Sequence, residues 1–173
     1  MRKFAGWLRV CGMVAAFCLF TVAQADEEKV PLDKVPKAVV EAVKTRFPDA
    51  KLESAEKETE DGKTVYEIAI KNKDQKIEVT LTADGKIVEI EKQIAASDLP
   101  KAVADALATK YAKAKYKVIE EVIKVKDGKE KLEYYEVHLM TAQGAAVEVR
   151  VAANGKLLAE EKQDQEKKEE KKK

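Results

Sequence analysis

Residues 76–92 read KIEVTLTADGKIVEIEK, and residues 146–162 read AVEVRVAANGKLLAEEK. Each stretch places an Asp-Gly or Asn-Gly pair between two runs of alternating apolar and polar residues, the strongest short-range signal for a β-hairpin. Because the same stretch occurs twice, the chain reads as a tandem repeat anchored by two equivalent hairpins.

Working outward from the first hairpin, Val65-Tyr66-Glu67-Ile68-Ala69-Ile70 alternates as a strand after the Asp61-Gly62 turn, and Lys51 to Thr59 alternates more weakly before it. Upstream, Val35, Val39, Val43 and Phe47 recur at every fourth position with Lys37, Glu41, Lys44 and Arg46 on the other side, a one-stripe helix of about three turns. Asp33 is placed to cap it and Pro36 fits its first turn, whose N–H groups have no intrahelical partner. Pro48 disfavours helical geometry at Phe47. The order is one helix followed by four antiparallel strands.

The second copy follows the first closely. Leu99, Val103, Leu107 and Tyr111 stand 64 positions after their counterparts, with Ser97 where the first copy has Asp33 and again placed as a cap. Asp127-Gly128 matches Asp61-Gly62, Tyr135, Val137 and Leu139 match Tyr66, Ile68 and Ile70, and Val147, Val149 and Val151 match Ile77, Val79 and Leu81. The offset grows to 70, which is expected to fall in the turns, where insertions cost little. The division is residues 1–25 as leader, 26–94 and 95–162 as the two repeats, and 163–173 as a charged tail. The stretch from Glu160 onward is built from Glu, Lys, Gln and Asp alone and has nothing to bury, which predicts either a solvated helical extension or disorder.

Residues 1–25 differ in kind. Arg2, Lys3 and Arg9 lead into an apolar run from Val10 to Val22, then Ala23-Gln24-Ala25, the pattern of a secretory signal peptide cleaved before Asp26. The protein is expected to be exported, periplasmic or extracellular, with no membrane span after cleavage. Both cysteines, Cys11 and Cys18, lie in this leader, so the exported part needs no disulfide. That part carries 30 Lys+Arg against 32 Asp+Glu, a net of −2, which offers nucleic acid no attraction.

The pattern predicts an α+β fold of two tandem α-β4 repeats, an antiparallel sheet with both helices on one face, since a one-sided sheet and one-stripe helices must cover each other. Eight strands in one sheet or in two fit equally. The opposite face would then carry Val65, Glu67, Ala69, Glu78, Thr80 and Thr82 from the first repeat. From the second it would carry Tyr134, Glu136, His138, Met140, Glu148 and Arg150. An aromatic, a methionine and an arginine are residue types enriched at interfaces, so these six are the candidate partner-binding residues.

A helix opening on Val35-Pro36-Lys37 or Leu99-Pro100-Lys101, four strands, and Asp84-Gly85-Lys86 or Asn154-Gly155-Lys156 before the last together resemble the PepSY-like, putative beta-lactamase-inhibitor-like family. The resemblance covers Val35 to Lys162. It implies paired α/β units akin to the beta-lactamase inhibitor protein, whose sheet surface grips a partner protein. These motifs are structural, so no inhibitory residue is carried over.

Catalytic inventories are thin. The exported part has no Cys, one His and only Ser54 and Ser97 as serines, too little for a nucleophilic triad. Its glycines are isolated, so no phosphate loop is present. Glu67 and Glu78 could do acid–base work only if buried, and in so charged a chain they read first as a solvated face. His138 with Glu136 and Glu148 is a poor zinc set, with one imidazole among surface carboxylates. The expectation is a non-enzyme without cofactor that binds or inhibits an extracytoplasmic protein or peptide through the exposed sheet face. A small-ligand or metal carrier using His138 is the alternative, and an envelope role through the charged tail is a third.

Overall fold

The computed structural model describes residues 28–60 and 62–163. The leader, Asp61 of the first Asp-Gly turn and the tail beyond Gln163 lie outside the described residues. The elements are β1 (Glu28–Lys29), α1 (Lys37–Arg46), β2 (Lys51–Glu60), β3 (Lys63–Asn72), β4 (Gln75–Thr82), β5 (Ile87–Gln93), α2 (Lys101–Lys110), β6 (Lys115–Lys126), β7 (Lys129–Met140), β8 (Ala146–Val151) and β9 (Leu157–Gln163). Among the described residues nine strands join one antiparallel sheet in chain order. The repeats therefore share a single sheet, sewn together where β5 pairs β6 from Glu89↔Lys124 to Gln93↔Glu120.

Each helix seals one core. Val39 and Val43 of α1, with Val35 and Phe47 at its ends, pack on Ile68, Ile70, Ile77, Val79, Leu81 and Ile90. Val103 and Leu107 of α2, with Leu99 and Tyr111, pack on Ile119, Tyr135, Val137, Leu139, Val147, Val149 and Val151. Fully burying one such aliphatic side chain contributes about 1.5–3 kcal/mol, so these alternating positions dominate the stability of the fold. Strand β6 serves both cores, giving Ile119 to the second and Ile123 to the first.

The helix starts differ from the sequence expectation. Asp33 and Ser97 lie in short 3-10 turns, Leu32–Lys34 and Ala96–Asp98, and neither caps a helix. Pro36 and Pro100 hold the N-cap positions with no side-chain cap. A proline disfavours helical geometry in the residue before it, and Val35 and Leu99 are accordingly extended; the prolines are extended themselves, with ψ of 136° and 141°, so the first helical residues are Lys37 and Lys101. The proline carbonyl takes over as first acceptor, from Val39 and Val40 in α1 and from Val103 and Ala104 in α2.

The turns divide into two kinds. Asp127 and Gly128 both take positive φ in a two-residue hairpin turn closed by Lys126↔Lys129. At Asp84-Gly85 and Asn154-Gly155 only the glycine is left-handed, with φ of 85° and 84°, in a longer loop where the Gly85 N–H bonds Thr82 O and the Gly155 N–H bonds Ala152 O. Both glycines lie against a helix. A Cβ on Gly85 would sit 2.6 Å from Ala38 O, and one on Gly155 2.5 Å from Ala102 O.

Two further expectations are corrected. Most of the growth in repeat offset lies within the strands, since β6 and β7 each have 12 residues against 10 in β2 and β3, and β7 adds a bulge opposite Val122/Ile123. The charged stretch from Glu160 is strand as far as Gln163, because an edge strand takes its ladder bonds from β8 whatever its side chains.

Candidate functional site

Along every strand the core residues alternate with a second set, and cross-strand pairing keeps that set contiguous. One row runs Ala69↔Glu78↔Glu91↔Val122↔Tyr134, and the next runs Gln93↔Glu120↔Glu136↔Arg150↔Ala159. The row beyond holds His138↔Glu148↔Glu161. All six candidate residues lie on this surface.

Five of the six are tied into one network. Glu136 is its centre: Oε1 meets His138 Nε2 at 3.1 Å, and Oε2 accepts from Arg150 Nε at 2.8 Å. Arg150 also donates from Nη2 to Glu148 Oε1 at 2.9 Å, and its guanidinium lies 5.4 Å from the centre of the Tyr134 ring. Met140 pairs with Ala146 at the end of the row. The surface is less open than the sequence implied. Glu136 is buried at 8% exposure, Val65 and Thr80 are buried as well, and Tyr134, His138, Met140, Glu148 and Arg150 are half-buried. Long side chains laid flat to reach their ion-pair partners cover one another and the sheet beneath.

The network sets its own charge states. Burial raises the Glu136 carboxyl, but hydrogen bonds and charge from His138 and Arg150 outweigh it and hold the group below the ordinary carboxylate range. The hydrogen bond to Glu136 raises His138 against the opposing effect of burial. Glu148 is raised, first by burial and then by the Glu136 charge.

Next to this network lies a cluster absent from the sequence-derived set. Oxygens of Glu78, Glu91 and Glu120 lie within 4.8 Å of one another, and Glu120 also comes within 4.8 Å of Glu136 and His138. Burial and then neighbouring carboxylates push Glu91 up to about 8 and Glu120 up to about 7, and Glu78 is raised for the same reasons. No hydrogen bond or ion pair reaches these three carboxylates among the described residues. Glu89, buried on the same surface, is instead paired with Lys124. The alternation Glu89-Ile90-Glu91 marked the parity of Glu91, while Ile119-Glu120-Glu121-Val122 breaks alternation, and only the β5–β6 register brings Glu91 and Glu120 beside Glu78 and Glu136.

On the helix side, a cavity of about 290 Å³ opens between the end of α1, the β4–β5 turn and the β6–β7 hairpin. Ile87, Ile90 and Val125 line it, and the Arg46–Glu130 ion pair stands at its rim.

The profile of the PepSY-like family, described as putative beta-lactamase-inhibitor-like, matches residues 22–89 and again residues 77–159. The chain belongs to this family. Among the solved structures, a BLIP-like protein from Bacteroides fragilis superposes with a TM-score of 0.54 at 20% identity, covering 72% of this chain and 84% of that one. A protein from Bacteroides eggerthii, described as a putative periplasmic protein, gives a TM-score of 0.61 at 15% identity over 74% of this chain and 88% of its own. At such identities the likeness is one of fold: a mostly antiparallel open sheet with two helices. No curated protein matches the chain. Among the described residues no helix is long and apolar enough to cross a membrane.

Proposed function

We propose that this PepSY-like protein is an exported, non-enzymatic binding protein that docks an extracytoplasmic protein or peptide on the sheet face bearing Tyr134, Glu136, His138, Met140, Glu148 and Arg150. Export rests on the leader pattern of residues 1–25 and agrees with the periplasmic description of the Bacteroides eggerthii neighbour. Both helices cover the opposite face. Ile119 and Ile123 are four residues apart on β6, hence on one side of it, and they pack under α2 and α1 respectively. That leaves a continuous polar face for a partner.

The observation that carries the reading is the Arg150 arrangement. A guanidinium held between two carboxylates and a tyrosine ring is pre-organised, so little side-chain freedom is lost when a partner packs on it. The test is capture from periplasmic extract by Asp26–Lys173, compared with the Tyr134→Ala/Arg150→Ala variant. The expected result is a partner retained by the parent chain and lost by the variant at unchanged fold. Equal capture by both would refute this face.

A second reading, a metal carrier, is favoured by the convergence of Glu120, Glu136 and His138. One imidazole and two carboxylates suit a divalent transition ion, although Arg150 on Glu136 opposes a further cation. Calorimetric titration with zinc separates the readings, since metal binding that survives His138→Ala removes the imidazole from the set.

A further inference from the structure

The two repeats differ at their outer strands. In the first, β5 has a neighbour on each side: Ile90 stands opposite Val79 of β4 and Ile123 of β6, and it is fully buried. In the second, β9 takes the place of β5, with Glu160 opposite Val149 as Ile90 is opposite Val79, and among the described residues no strand lies beyond it. The position that joins the core in one copy is thus an exposed glutamate in the copy that ends the sheet. The last residue of the helix changes in step. Arg46 of α1 reaches across to Glu130 in the hairpin beyond β5, whereas Lys110 of α2 turns back onto Glu160 of β9 itself. The bond to Lys110 holds the Glu160 carboxyl below the ordinary carboxylate range, so it is ionised at neutral pH.

The ladder of the first repeat shows which backbone groups of β9 point outward. The Ile94 N–H donates to Ile119 O across the seam, and the two-residue period of a strand gives Lys92 and Ile90 the same direction. Their counterparts Lys162 and Glu160 keep the same register on the preceding strand, so their N–H and C=O groups face the open side, where a further strand would add.

A second copy of the chain brings the same strand. Two β9 strands related by a two-fold axis run antiparallel, and the residue on the axis meets its own copy. Centred on Glu160 or Glu161, such a pairing opposes two carboxylates; centred on Lys162, it opposes two ammonium groups. Like charges directly opposite one another destabilise a sheet. With isoleucine at 160, the residue the first repeat has at this position, the centre becomes apolar and Glu161 falls opposite Ala159 of the other copy.

We propose that Glu160, drawn onto Lys110, guards the open edge of β9 and excludes a second copy of this chain from adding its own β9 there. The inference concerns a different surface from the polar sheet face and stands independently of it.

The test is sedimentation equilibrium of Asp26–Lys173 as the parent chain, Glu160→Ile, Glu160→Thr and Glu160→Ile/Lys162→Pro, with circular dichroism as the check on fold. The parent is expected to be monomeric and the isoleucine variant to dimerise about tenfold or more tightly. Glu160→Thr drops the charge with little added apolar surface and should fall between them. Lys162→Pro removes an N–H that points away from β8, a place where an edge strand tolerates proline, so the double variant should return to monomer with its circular dichroism unchanged. A monomeric, folded Glu160→Ile overturns the proposal. So does an isoleucine dimer that survives Lys162→Pro, or a parent that is already a dimer and is dissolved by Lys162→Pro alone. If Glu160→Ile does not fold, Glu160→Thr decides: self-association above that of the parent supports the guard, and a monomer like the parent removes it.

Discussion

Replacing Gly85 by alanine tests the account of the Asp/Asn-Gly-Lys turns. Two costs combine. At φ of 85° an L side chain enters the left-handed region, at about 1–2 kcal/mol. The new methyl would also lie 2.6 Å from Ala38 O and 2.9 Å from Ala38 C, both backbone atoms of α1 that no rotamer change can move aside. Forcing such a contact costs about 1–3 kcal/mol, so Gly85→Ala should lose about 2–5 kcal/mol. Gly144 is the matched control, with φ of 86° and nothing within 4 Å of its added Cβ, so Gly144→Ala should lose only the conformational part. In urea unfolding followed by circular dichroism, Gly85→Ala should lower the midpoint with an unchanged slope. In thermal melts, at roughly 2–4 °C per kcal/mol for a chain of this size, it should fall well below Gly144→Ala. If the two variants were equally destabilised, turn and helix would not be in the contact described, and the turn glycine would be there for φ alone.

Two predictions concern protons. Glu91, Glu120, Glu78 and Glu148 bind protons more tightly folded than unfolded, so their contribution is full below the ordinary carboxylate range and is lost as pH rises through their folded values, about 7 for Glu120 and about 8 for Glu91. The melting temperature should therefore fall between pH 5 and about 8, and Glu91→Gln should flatten the fall; a melting temperature that rises over this window would contradict the burial and crowding that raise these groups. His138 should titrate above 6.5 by NMR and drop in Glu136→Gln, since the hydrogen bond to Glu136 is the main cause of its shift; an unchanged value in that variant would remove Glu136 from the centre of the network.

Local pattern carried much of this structure and register carried the rest. The every-fourth-residue valines of α1 and the alternation Ile77-Val79-Leu81 declare their own geometry, because burial on one side leaves a period in the chain. The helix caps were misread because Asp33 and Ser97 have the right chemistry, yet the backbone stays extended from Val35 through Pro36 and from Leu99 through Pro100, which puts both helix starts beyond their reach. That Glu136, His138, Glu148 and Arg150 share a face was legible because β7 and β8 are joined by a short loop and each strand shows its parity, whereas the ion pairs centred on Glu136 were not read. The Glu78, Glu91 and Glu120 cluster was not, since it depends on β5 pairing β6 across an intervening helix, and no residue between them encodes that register.

Ile123 and Val125 belong to β6, a strand of the second repeat, yet they complete the core beneath α1. Severed after Gln93, the first repeat would leave Ile90 facing water and the full length of β5 as an unpaired edge, a surface prone to recruit foreign strands. Duplication here has made partners out of copies: the first half depends on its twin, and the two should unfold in a single cooperative step rather than as beads on a string.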